Sequence, residues 1–185
     1  MSKFSIEEND DLKTKIKDFV SNLDDKSLLE TMMFMIESMK NRLTWDQYFS
    51  LIACVAKQRS SCGRLKVGCV IVKDNRILAT GYNGHIAGAP HISKIEDGHE
   101  QMTIHAETNA VCSAARTGAN LENSKIYVTH FPCPNCAKVI LSAGVSEIYY
   151  LDDYKNSDTS YELFRSKGVK VINLHFNLVN ELKKK

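Results

Sequence analysis

The chain has 185 residues, which suits one domain of ordinary size with a short appendage. Its hydrophobic fraction of 43% is ample for a packed core, and a formal net charge of +2 argues against the clustered basic excess that a long polyanion selects. No stretch approaches the roughly 20 apolar residues of a membrane span, and the acidic start MSKFSIEENDDLK has no apolar signal core, so a cytoplasmic protein with no membrane partner is expected. In a reducing compartment its six cysteines point to metal or thiol roles more than to disulfides.

Residues 1–43 are rich in Met and Leu with interspersed charge (LLETMMFMIESMKNRL) and read as two helices, a helical N-terminal extension that covers a core face or a subunit contact. From Thr44 the pattern becomes that of an α/β domain over 44–175. Thr44-Trp45-Asp46 reads as a helix N-cap, with an amphipathic run to about Arg59. Lys66 to Val72 and Arg76 to Thr80 are β-branched and apolar, and Asp74-Asn75 between them makes an antiparallel hairpin. Gly81 to Thr103 reads as a long loop, a length usually kept for function. There follow a helix from His105 to Arg116 stopped at Gly118, a strand over Lys125 to Thr129, a helix from Cys133 to Ala143 stopped at Gly144, and a strand over Glu147 to Leu151. A helix over Ser157 to Lys167, a strand from Val169 to Leu174 and a short helical tail over 176–185 complete the chain. Such alternation predicts a mixed, partly parallel sheet between two helical layers. Cys54, Cys69 and Cys112 fall on apolar faces and are expected in the core.

Two short motifs carry chemistry. His105-Ala106-Glu107 and Pro132-Cys133-Pro134-Asn135-Cys136 each follow a loop and open a predicted helix. Thiols on a first helical turn meet unpaired backbone amides and the positive end of the dipole, which favour thiolate. Two thiolates and one imidazole make a three-ligand zinc site, with the fourth tetrahedral position left for water of lowered pKa. Glu107, two residues from His105, is too close in sequence to be a comfortable ligand but can reach that water and move its proton. A Cys-x-x-Cys alone would also suit a redox pair or half of a structural zinc site. However, there is no second Cys-x-x-Cys to close a structural site, and a thioredoxin-like pair belongs after an early strand.

Together the motifs match the zinc deaminase signature His-x-Glu…Pro-Cys-x-x-Cys. Beyond it, Val67-Gly68-Cys69-Val70-Ile71-Val72, Gly81-Tyr82-Asn83-Gly84, Thr103 to Ala110 and Tyr127 to Lys138 resemble the deoxycytidylate (dCMP) deaminase family, over roughly residues 44–172. The resemblance implies a three-layer α-β-α cytidine-deaminase-like fold with a five-stranded mixed sheet. It also implies one catalytic Zn2+ per subunit on His105, Cys133 and Cys136, with Glu107 as proton shuttle. The implied reaction is hydrolytic deamination of dCMP to dUMP with release of ammonia, a step towards thymidylate. Attack falls on C4 of the pyrimidine while Glu107 protonates N3 and then the departing amine, with the backbone near Ala106 and the loop around Pro132 framing the base. The alternatives are another cytosine nucleotide (dCTP, modified dCMP), a free nucleoside, or a base in single-stranded nucleic acid or tRNA. The last wants a basic groove with stacking aromatics. A catalytically inert zinc module is the remaining rival, against which Glu107 speaks.

Within that resemblance Asn83 is assigned to the deoxyribose hydroxyl, although Asn before Gly also suits a turn. Arg64 is the first choice for the phosphate, because a guanidinium binds it bidentately. Ser60 lies in the same segment, and an exposed solubilising arginine is the alternative for Arg64. Arg116, at the end of its helix, serves either the dipole or, by resemblance, a subunit or nucleotide contact. Some relatives hold a second, structural zinc. Cys62, His91 and His99 stand in the corresponding places, with Thr103 where one relative offers a carboxylate, and Cys62 equally suits an ordinary thiol. Relatives also imply a homo-oligomer (hexamer or dimer) and dCTP or dTTP effectors, with Mg2+ accompanying the effector nucleotide.

Overall fold

The structure is a computed structural model that describes residues 42–96, 99–153 and 157–174, together with Thr14, which is helical. The chain divides into two units at Leu43/Thr44. Apart from Thr14, Arg42 and Leu43, the helices read over 1–43 lie outside the described residues, as does the tail 176–185.

The described elements run in chain order from α1 (Trp45–Lys57) to the pair β1 (Gly68–Lys73) and β2 (Arg76–Tyr82). Four two-residue strands follow: β3 (Gly84–His85), β4 (Ile95–Glu96), β5 (His99–Glu100) and β6 (Thr103–Ile104). Then come α2 (Ala106–Thr117), β7 (Lys125–His130), α3 (Pro134–Ser142), β8 (Glu147–Asp152), α4 (Asp158–Ser166) and β9 (Lys170–Asn173). Thr44 opens α1 through a capping box: its Oγ1 accepts from the Gln47 amide at 3.3 Å, and Gln47 Oε1 accepts from the Thr44 amide at 2.9 Å. Asp74 and Asn75 both take positive φ, 49° and 56°. That conformation gives a two-residue hairpin turn the twist of its flanking strands. Gly118 closes α2 in the left-handed region at φ 71°, as expected of a residue with no Cβ to clash.

Five strands form one mixed sheet in the order β2-β1-β7-β8-β9. β1 is antiparallel to both β2 and β7, whereas β8 and β9 continue parallel to β7. Side chains alternate between faces with period two. Val70, Val72, Tyr127 and Tyr149 bury Phe49 and Ala53 of α1 on one face. Cys69, Ile71, Ile126, Val128 and Ile148 pack on the other with Ala106, Ala110 and Ala114 of α2, Ala137 and Ile140 of α3, and Phe164 of α4. The three-layer α-β-α arrangement with a five-stranded mixed sheet is therefore the one expected.

Two expectations need correction. The stretch from Gly81 to Thr103 is not a plain loop: β2 runs on to Tyr82, β3 pairs with β6, and β4 pairs with β5. Pairs this short carry no readable alternation. Cys112 is exposed, unlike Cys54 and Cys69. The buried stripe of α2 is Ala106, Ala110 and Ala114. At about 100° per residue, Cys112 stands roughly 200° round the helix from Ala110.

Candidate metal and active site

The two helix starts that carry the motifs meet beyond the carboxyl end of β7, where open α/β sheets place ligands. His105 is the N-cap residue of α2, and Cys133 is that of α3, with Pro134 beginning the helix. Two close approaches seat α2. A Cβ at Gly81 would lie 2.2 Å from the Ala106 carbonyl oxygen and 2.5 Å from the Ala110 amide nitrogen. Asn109 Nδ2 donates to the Tyr82 carbonyl at 2.8 Å.

The ligand atoms of His105, Cys133 and Cys136 all lie within 4.8 Å of one another, the one such group of three among the described residues. His105 Nδ1 is 3.5 Å from Cys133 Sγ and 3.3 Å from Cys136 Sγ. A tetrahedral zinc with bonds of about 2.3 Å to sulfur and 2.0–2.1 Å to nitrogen has a nitrogen–sulfur edge of about 3.5 Å, so the donor set fits that ion in type and spacing. The hydrogen bond from Cys136, with His105 adding to it, holds the Cys133 thiol far below its ordinary value, and the same bond to Cys133 pushes Cys136 up. The Cys133 contact in turn raises His105. Thr108 Oγ1 stands 3.9 Å from Cys136 Sγ, on the first turn of α2.

Glu107 is 4% exposed, and burial raises its carboxyl above the ordinary range. Such a group takes up a proton more readily than an exposed carboxylate, which suits a shuttle. A pocket opens in front of it. Its walls are Arg64, Leu65 and Val67 from the loop before β1, then Asn83, His105 and Ala106, and His130, Phe131 and Cys133 on the far side. His130 ends β7. Its Nδ1 lies 2.9 Å from Thr129 Oγ1, which accepts from the Gly68 amide at 3.2 Å, and burial lowers the pKa of the His130 ring.

The structure thus brings His105, Cys133, Glu107, Ala106, Asn83 and Arg64 to one pocket, with Cys136 joined to it through the His105–Cys133–Cys136 cluster. Ser60 is not among its walls, since its hydroxyl donates to Asn83 Oδ1 at 2.8 Å. Arg116 is exposed in the last turn of α2. Cys62 is buried, and His91 stacks on His85 with ring centroids 4.7 Å apart. Neither joins a group of three metal-ligating side chains among the described residues, and the side chain of His99 lies outside them.

Residues 43–152 match the family described as the cytidine and deoxycytidylate deaminase zinc-binding region. The chain belongs to that family. Within the family it is 43% identical over 134 residues to ComE operon protein 2 of Bacillus subtilis, covering 70% of this chain and 71% of the relative. It is 31% identical over 174 residues to the deoxycytidylate deaminase of Enterobacteria phage T4, covering 71% and 90%. The crystal structure of the dCMP deaminase from cyanophage S-TIM5, in complex with dCMP and dUMP, superposes with a TM-score of 0.64 at 35% identity, over 69% of this chain and 94% of that one. The family's zinc-binding region spans the His105, Cys133 and Cys136 cluster. No helix among the described residues is long and apolar enough to cross a membrane.

Proposed function

We propose that the chain is a zinc-dependent deaminase converting dCMP and water to dUMP and ammonia. The observation that carries this reading is the buried carboxyl of Glu107 on the wall of a pocket, beside a His-Cys-Cys donor set of zinc spacing. Zinc bound by His105, Cys133 and Cys136 would supply the Lewis acidity that brings the pKa of a water towards about 7. Glu107 takes a proton from the attacking water and gives it to the pyrimidine N3. When the C4–N4 bond breaks, Glu107 passes the second water proton to the departing amine, and it ends ionised as it began. Ala106 and Phe131 border the base. Asn83 has both lone pairs of Oδ1 committed, to Ser60 Oγ and the Val67 amide, while one hydrogen of Nδ2 goes to the Leu65 carbonyl. It therefore meets the sugar hydroxyl as a donor, through the second hydrogen of Nδ2. Arg64 takes the phosphate, the guanidinium being able to grip two oxygens at once.

Ammonia release across dCMP, dCTP, deoxycytidine, CMP and single-stranded DNA tests the reading. dCMP is expected to show the highest kcat/KM. Preference for DNA would overturn the nucleotide assignment, and silence on every substrate would leave a zinc module. The same assay with dCTP plus Mg2+, and with dTTP, tests the effector control that the family resemblance implies. A sizing experiment tests the homo-oligomer. Metal analysis separates one zinc per chain, at the His105 cluster, from the two that Cys62, His91 and His99 would require. The free thiols at the described cysteines agree with a cytoplasmic setting, which belongs to the same proposal.

A further inference from the structure

Residues 60–67 run between α1 and β1 with no helix or strand of their own, yet three of them form one wall of the pocket. Their shape is held from the other side of the chain. Asn83, 8% exposed, accepts at Oδ1 from Ser60 Oγ at 2.8 Å and from the Val67 amide at 2.7 Å, and its Nδ2 donates to the Leu65 carbonyl at 2.6 Å. The Asn83 amide nitrogen adds a bond to the Val67 carbonyl at 3.2 Å. A backbone amide can only donate and a carbonyl only accept, so these partners fix which way the Asn83 side chain is turned. The Ser60 hydroxyl spends its single hydrogen on Asn83 and accepts from the Cys62 amide at 3.2 Å. Ser61 Oγ ties the same loop to β3 by accepting from the His85 amide at 3.0 Å. Arg64 sits between the tied positions, Cys62 on one side and Leu65 and Val67 on the other.

We infer that Ser60, acting through Asn83, is a positioning residue for Arg64: the Ser60–Asn83 hydrogen bond holds the 60–67 loop in the shape that sets the guanidinium on the pocket wall. This rests on the reading of Arg64 as the phosphate ligand. The long Arg64 side chain has many rotamers, and a backbone held at both flanks restricts where its end can reach. Ser60 is thereby removed from the set of direct substrate contacts, its donor being used inside the protein.

Steady-state kinetics on zinc-loaded Ser60→Ala, Ser60→Thr, Arg64→Ala and the Ser60→Ala/Arg64→Ala double variant, each with dCMP and with deoxycytidine, test the inference. Ser60→Ala should raise KM for dCMP about three- to tenfold, the worth of one hydrogen bond, with a smaller effect on deoxycytidine. Ser60→Thr, which keeps the hydroxyl, should restore it. In the Arg64→Ala background, Ser60→Ala should raise the dCMP KM no more than it raises that for deoxycytidine, because the phosphate-linked part of both changes removes the same contact. If the two effects multiply, Ser60 does not act through Arg64 and the positioning role is overturned while the phosphate assignment survives. If Arg64→Ala weakens dCMP and deoxycytidine equally, the phosphate assignment itself fails and the positioning role with it.

Discussion

Gly81 links the sheet to α2, and Gly81→Ala probes that link. The added methyl carbon would stand 2.2 Å from the Ala106 carbonyl oxygen, 2.5 Å from the Ala110 amide nitrogen and 2.9 Å from Ala110 Cβ. Ordinary contact begins at 3.4 Å, so α2 must retreat by about 1.2 Å, and the nearest atoms are backbone that cannot rotate away. Overpacking of this kind costs about 1–3 kcal/mol. At about 2–4 °C per kcal/mol for a chain of this size, the melting temperature should fall by roughly 2–12 °C. The catalytic effect should be larger in proportion, since Ala106 lies between His105 and Glu107, the proposed ligand and proton shuttle. A displacement of about 1 Å at reacting groups costs on the order of a hundredfold in rate. A thermal melt followed by circular dichroism, together with ammonia release from dCMP by the folded, zinc-loaded variant, measures both. Gly63→Ala is the control for stability, because a Cβ there meets nothing within 4 Å. If Gly81→Ala melts and turns over like the parent, the close approach of β2 to α2 does not set the site.

Glu107→Gln keeps size but cannot carry the proton. It should retain zinc by metal analysis while kcat drops by about 10²–10⁴, and survival of turnover would remove the shuttle. Cys136→Ala should strip the metal, read as loss of zinc from the purified protein, because two donors cannot replace three; full zinc content would refute the ligand set. Glu100 gives a pH signature. Its carboxylate accepts from Ser93 Oγ and from the Lys94 and Met102 amides, each amide at 3.0 Å, and these bonds lower its pKa from 4.5 to about 2. A depressed carboxyl pKa stabilises the fold above pH 4.5 and loses that contribution as pH falls towards 2. The gap in melting temperature between the parent and Glu100→Gln should therefore be full at pH 6 and narrow below about pH 4.5. A gap independent of pH would show that the carboxylate charge is not what those donors hold.

The sequence by itself marked out the candidate donor set, the candidate acid, and the order of the helices and central-sheet strands. His105 with Glu107, and Cys133 with Cys136, are separated by two and three residues, so a helix start places each pair with no help from distant chain. The strands of the central sheet show as β-branched runs, and Thr44, Gly118 and Gly144 mark helix ends because capping is a matter of nearest neighbours. Tertiary structure decided everything that depends on residues far apart in the chain. Ser60 meets Asn83 across 23 positions, which turns a nominal substrate contact into a loop tie. His130 becomes a pocket wall because β7 ends beside the N-terminus of α3, and Cys112 faces outward because α2 lays only its alanine stripe on the sheet. Glu100 fastens the 93–102 segment through bonds that no local periodicity signals. Spacing along the chain specifies chemistry where one turn of helix is enough to bring groups together. Where they are brought together by packing two layers on a sheet, it is the packing that assigns the role.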